Sequence, residues 1–223
     1  MKTSIRRGLA AVLLCTLLAG FVDARSRRKK PQSASADFSY YLLVLSYAPD
    51  FCNQPQGAKD PRECGSGRHV GFIVHGLWPQ GETSRGSERC GGASPVAQSI
   101  VQAMLRYIPT ESLIQHEWST HGTCTGLTTA DYFAAIRRAR DSVTIPPELR
   151  EPSRTIQLSP TQFESQLYTA NPRYPRGSFR TSCYRDGELN EIRVCLNKDL
   201  SPRPCGDSAG ECRAPNVTLL PVR

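Results

Sequence analysis

The chain has 223 residues, 39% of them hydrophobic and 22% charged, with a formal net charge of +8. That is too apolar for a disordered tail and long enough for one or two globular domains. Seventeen Gly and seventeen Pro follow no fixed period, and no repeat of a few tens of residues is present, which excludes collagen-like and solenoid architectures.

Lys2, Arg6 and Arg7 precede an apolar run from Leu9 to Val22, closed by Val22-Asp23-Ala24 with small side chains suited to cleavage. Residues 1–24 therefore read as a secretory signal, and the protein is expected to be secreted or periplasmic. The run is about 14 residues against the roughly 20 that cross a bilayer, so no membrane span is expected after its removal. Cys15 leaves with the signal. The eight remaining cysteines, an even number in an oxidising compartment, read as four disulfides. At roughly 200 residues the bridges staple a core that the chain already supports. The mature chain stays basic, and part of its charge lies in Arg25 to Lys30 (RSRRKK), which opens a basic Ser/Ala-rich leader over 25–37. Basic exported proteins favour polyanions.

Phe38 to Ala48 (FSYYLLVLSYA) is aromatic, β-branched and aliphatic throughout and is followed by Pro49, so it reads as a buried strand. Val70 to His75 (VGFIVH) reads as a second, ending at its histidine. Ser94 and Pro95 give a helix start, after which Val96, Ile100, Met104 and Ile108 recur at helical spacing until Pro109. Thr110 to His121 carries Leu113, Ile114, Glu117 and His121 in helical register and closes at Gly122. Thr129 to Val143 opens with capping chemistry and places Tyr132, Phe133 and Ile136 on one face. Ser159 to Gln162 is a capping box for a helix to about Ala170. Phe179 to Tyr184 and Glu188 to Asn197 flank Asp186-Gly187 as a hairpin. The fold class is α+β.

Chemistry concentrates in two segments. Of only four histidines, His75 lies in FIVHGLWP (Phe72 to Pro79), and His116 and His121 lie in HEWSTHGTC (His116 to Cys124). The segments also hold the two tryptophans, Trp78 and Trp118; Trp118 is assigned to the core. A zinc-protease helix needs histidines at i and i+4, whereas His116 and His121 are five apart, about 140° around an ideal helix. No metal is therefore expected. Glu117 and His121 are four apart and share a face, a carboxylate beside an imidazole. A histidine ending a strand and another ending a helix, brought opposite each other, suit in-line phosphoryl transfer from an internal nucleophile. The ribose 2′-hydroxyl of RNA is such a nucleophile, and DNA lacks it.

At these residues the sequence resembles the ribonuclease T2 family of secreted endoribonucleases, in the order, spacing and nearly every residue of both segments. Tyr40 to Cys52 resembles the family's first core strand and Glu188 to Cys205 its late hairpin, in the style of bacterial members. The resemblance implies a central, mainly antiparallel sheet packed on several helices over a catalytic domain at 38–223. It implies a monomeric, cofactor-free enzyme that cleaves single-stranded RNA through 2′,3′-cyclic phosphates and leaves DNA intact. It implies His121 as general base, His75 as general acid, His116 on the phosphate, and Glu117 stabilising the phosphorane or orienting its neighbours. Trp78 would pack a base or the wall behind His75. It also implies the pairs Cys90–Cys124, Cys52–Cys64, Cys183–Cys212 and Cys195–Cys205. The family's usual Lys before the second helical histidine is Thr120 here, so a cation near the transferring phosphate is missing. Its loss is expected to weaken charge stabilisation and to ease protonation of His121. Gln80 stands where some members carry a purine-selecting acid, so a broad base preference is expected. Asn216-Val217-Thr218 is a glycosylation acceptor by pattern. A non-catalytic polyanion-binding protein on the same fold is the second reading.

Overall fold

A computed structural model describes residues 37–65 and 69–222. The expected signal, and the basic leader apart from Asp37, lie outside the described residues. Among the described residues no helix is long and apolar enough to cross a membrane.

The fold is α+β. Its main sheet contains β1 (Tyr40–Tyr47), β2 (Phe72–Gln80), β4 (Phe179–Cys183) and β5 (Leu189–Leu196) in the order β2-β1-β5-β4, every pair antiparallel. β1 is interior and buried on both faces, which is why its sequence is an apolar run rather than an alternation. Tyr41, Leu43, Leu45 and Tyr47 enter the helix-packed core. Tyr40, Leu42 and Val44 join a smaller cluster with Cys195 and Ala209 on the other face. Full burial of such a side chain contributes about 1.5–3 kcal/mol, so this one strand anchors both layers. A two-stranded sheet pairs β3 (Ile156–Leu158) with β6 (Val217–Leu219).

Among the described residues seven helices complete the fold: α1 (Ala48–Asn53), α2 (Pro61–Cys64), α3 (Gln98–Met104), α4 (Glu111–Thr120), α5 (Thr129–Asp141), α6 (Pro147–Arg150) and α7 (Pro160–Ala170). Local chemistry explains several boundaries. Thr110 caps α4 by accepting from the Leu113 N–H at 3.2 Å, Thr128 caps α5, and Ser159 and Gln162 form the reciprocal capping box of α7. The hairpin turn between β4 and β5 has Gly187 at φ +87°, the left-handed region that favours glycine.

Four sequence expectations shift. Pro49 does not end the first strand in a loop but sits in the first turn of α1, where its missing N–H costs nothing. The third helix begins at Gln98, not at Ser94, because Gln115 on α4 takes the Val96 N–H at 2.9 Å and holds that stretch extended. The helix expected to reach Val143 ends at Asp141. The second strand does not end at His75 but runs on to Gln80, with Trp78 opposite Leu42 of β1. Along that pairing Gly76 faces Val44 and Val74 faces Leu45, so His75 is an extra residue in a β-bulge.

Disulfides join Cys52 to Cys64, Cys90 to Cys124, Cys183 to Cys212 and Cys195 to Cys205, the same pairs that the resemblance implies.

Candidate active site

The bulge turns His75 onto the sheet face that carries Ser46 and Glu191. Its Nδ1 lies 3.2 Å from Glu191 Oε1 and 3.4 Å from Ser46 Oγ. Its Nε2 lies 4.0 Å from Glu117 Oε1 on α4. The His75 side chain is 34% exposed while that of Glu117 is sealed off from solvent. The next residue, Gly76, leaves room for this approach: a Cβ there would overlap Glu117 Oε2 and crowd the Trp78 indole nitrogen.

Trp78 stands at the centre. Its Nε1–H donates to Glu117 Oε2 at 2.9 Å. Its ring stacks on His121 at 5.0 Å between centroids and meets His75 edge-on at 5.1 Å. The indole thus spaces two imidazoles, one from β2 and one from the end of α4. His116 is exposed at the rim, 6.4 Å from His121 between ring centroids. Trp118 packs in the core against Tyr132, as its sequence context suggests.

Helix α4 ends at Thr120, and His121 is its C-cap at φ −114°, followed by a short 3-10 turn over Gly122–Cys124. The end of the helix alters two expectations drawn from ideal helical spacing. Glu117 does not pair with His121; its carboxylate turns to Trp78 and His75. His116, Glu117 and His121 do converge, with one potential ligand atom from each lying within 4.8 Å of the others, because the chain leaves helical geometry before His121. Those three residues could hold a divalent cation. Thr120, expected beside the substrate, is buried, and its hydroxyl has no hydrogen-bond partner among the described residues. Its carbonyl accepts from the Arg89 N–H at 2.7 Å, next to the Cys90–Cys124 bridge that fixes the end of α4.

The two imidazoles are biased oppositely. Burial works against the charged form of His75, but the hydrogen bond it donates to Glu191 and the charges of Glu117, Glu191 and Glu63 outweigh it and raise its pKa. Burial, reinforced by His116, His75 and Arg89, pushes His121 down to about 3. Burial also raises Glu117 to about 7, against the pull of His75 and Trp78. Its Oε1 has no hydrogen-bond partner among the described residues. Burial and the nearby charges of His75 and Arg89 lower His116. A cleft of about 580 Å³ opens beside His75 and His116 and is lined also by Ser46, Glu63, Tyr184 and Glu191.

Glu191 was not singled out from the sequence. Its signal was there: Glu191 and Arg193 occupy one face of β5, two residues apart, in a strand whose other face, Ile192 and Val194, is apolar.

The model of the Ribonuclease T2 family matches residues 38–205. A ribonuclease of Aeromonas hydrophila is 28% identical over 222 residues, covering 95% of this chain and 98% of that protein. A probable ribonuclease of Haemophilus influenzae is 28% identical over 186 residues, covering 78% of this chain, which spans 63% of that longer relative. Among solved structures, an RNase-related protein from Calystegia sepium superposes with a TM-score of 0.65 at 20% identity, covering 83% of this chain and 98% of that one. Ribonuclease MC1 from bitter gourd seeds gives 0.60 at 23% identity, covering 81% and 99%; these two likenesses concern the fold. The family match takes in the bulged strand and the helix end that bring the three histidines together, and on it the chain belongs to the ribonuclease T2 family of RNA endonucleases.

Proposed function

We propose that the protein is an exported, metal-independent endoribonuclease with broad base preference, cleaving single-stranded RNA by transphosphorylation through a 2′,3′-cyclic phosphate. The observation that carries this reading is the opposite protonation bias of His75 and His121 across Trp78. Below the ordinary histidine value of 6.5 the raised His75 favours its charged form, while His121, pushed down to about 3, is neutral, the pair of states that concerted acid–base catalysis requires.

In the first step neutral His121 takes the 2′-hydroxyl proton as the 2′-oxygen bonds to phosphorus. The bond from phosphorus to the 5′-oxygen breaks, and His75 protonates that oxygen. His116 at the rim holds a phosphate oxygen. Glu117, whose pKa burial raises toward the protonated form, offers its Oε1, which has no hydrogen-bond partner among the described residues, to the equatorial oxygens of the phosphorane, where a positioned donor acts most strongly in a water-poor site. In the second step the roles reverse: His75 takes a proton from water, the water oxygen bonds to phosphorus, and the bond to the 2′-oxygen breaks as His121 returns its proton. Each acid or base contributes about 10² to 10⁴ in rate. The four disulfides support export into an oxidising compartment.

The test is incubation of the oxidised protein with single-stranded RNA and with DNA of the same sequence, in the presence and absence of a chelator, beside His75→Ala and His121→Ala. Chelator-insensitive cleavage of RNA alone, through a cyclic phosphate end and lost in both variants, is expected. Loss of activity with the chelator would move His116, Glu117 and His121 to a metal site. Salt-sensitive binding without cleavage would leave a polyanion-binding module.

A further inference from the structure

His75 is gripped from behind by a chain of charged groups. Glu191, 4% exposed, places Oε1 at Nδ1 of His75. Its Oε2 accepts from Nε of Arg193 at 2.8 Å and forms an ion pair with Nη2, also at 2.8 Å. Arg193 in turn donates from Nη1 to the Ala209 carbonyl at 2.6 Å. Gly210, at φ +71°, lets the guanidinium lie there, since a Cβ would stand 2.7 Å from Nη1. Resting on the endoribonuclease reading above, we propose that Glu191, clamped by Arg193, is the positioning residue of His75: it occupies Nδ1, so that Nε2 is the nitrogen that exchanges protons with RNA.

The chemistry follows from the tautomer. When the imidazolium gives its Nε2 proton to the 5′-oxygen, the remaining proton stays on Nδ1, bonded to Glu191. Nε2 is left with a lone pair, ready for the water of the second step without a ring flip. Arg193 keeps the carboxylate from taking the Nδ1 proton itself, consistent with the lowered pKa of Glu191, where its bond to His75 and the Arg193 charge overcome burial. The other groups facing His75 are Glu117 and His116 from α4, His121 at the end of that helix across Trp78, Glu63 from α2 with Asp60 at its cap, Tyr184 after β4, and the neutral Ser46 from β1. Of these, Ser46 alone shares Nδ1, at the longer distance.

The experiment compares the full oxidised chain with Glu191→Gln, which keeps the shape and removes the charge. The pH dependence of kcat/KM is expected to lose its alkaline side first, the limb moving about one unit to lower pH, with a roughly tenfold fall in kcat at pH 7 and little change in KM. Glu191→Asp restores part of the loss. On a nucleoside 3′-(4-nitrophenyl phosphate), whose leaving group needs no acid, the deficit in ring closure shrinks to within about twofold. NMR titration of the His75 ring in the absence of RNA reads the same shift and the Nδ1–H tautomer, so the proposal is tested even if the protein cleaves no RNA. Should Glu191→Gln fail to fold because Arg193 is left unpaired, Glu191→Gln with Arg193→Gln removes both charges and takes its place. A folded variant with an unchanged His75 titration and alkaline limb, or an equal loss on both substrates, would overturn the proposal.

Discussion

Adding one methyl group at Gly76 tests the packing of the site directly. In Gly76→Ala the new Cβ overlaps Glu117 Oε2 and crowds the Trp78 indole nitrogen, so the carboxylate must leave the 2.9 Å hydrogen bond it accepts from that nitrogen. A hydrogen bond to a charged group contributes about 1.5–3 kcal/mol, and inserting a methyl into a filled interior costs about 1–3 kcal/mol. The variant is thus expected to lose roughly 2.5–6 kcal/mol, a fall in Tm of about 5–24 °C for a chain of this size. RNA turnover should fall by at least about 10², since Glu117 and Trp78 both shift against the imidazoles. Thermal melts and single-turnover cleavage measure the two effects. Adding Glu117→Ala removes the atoms that clash, so the double variant should be no less stable than Gly76→Ala, a non-additivity expected only of groups in contact. A Gly76→Ala protein melting within a degree of the parent, with turnover within twofold, would refute this account of why the position lacks a side chain.

The pH–rate profile should be a bell. Activity rises as His121 loses its proton near pH 3 and falls as His75 loses its own above the ordinary histidine value of 6.5; a profile still climbing at pH 9 would reverse the roles. Thr120→Val removes a buried hydroxyl without a partner and should raise stability by about 1–3 kcal/mol in denaturant melts while RNA cleavage holds. A rise in KM there would instead return Thr120 to the substrate. Cys90→Ser with Cys124→Ser opens a loop of 34 residues and should cost about 4 kcal/mol on the chain-entropy model, read from chemical unfolding. It should also lower kcat, because the bridge steadies the end of the helix that presents His121.

What was legible in the sequence was what local chemistry decides. The capping box at Ser159, the cap at Thr110 and the turn at Gly187 act over a few residues, and each sits where its residues imply. The continuous run of β1 was legible because burial on both faces leaves no alternation to obscure it. Elements set by distant partners were not. Val96 stays out of α3 because of Gln115 on another helix, and β3 and β6 are each three residues long and exist through one another. The three histidines stood out as a rare residue type in compact segments, and Glu117 by its four-residue spacing from His121. The bulge that aims His75 depends on the register of β1, and Glu191 matters because β5 lies two strands away from β2 in the sheet. Neither register nor strand order is written in the motif.

The irregular strand has a second consequence, for the protein's behaviour in a crowd. β2 is an edge of the main sheet, and an open edge invites pairing with another chain and, from there, aggregation. Here the edge is spoiled as a template: His75 breaks the regular spacing of backbone groups, Pro79 offers no N–H, and the Val74 N–H is already given to the Tyr107 carbonyl. The distortion that points a histidine at the cleft therefore also keeps neighbouring molecules from zipping onto the sheet. Smoothing that strand would be expected to sacrifice catalysis and solubility together.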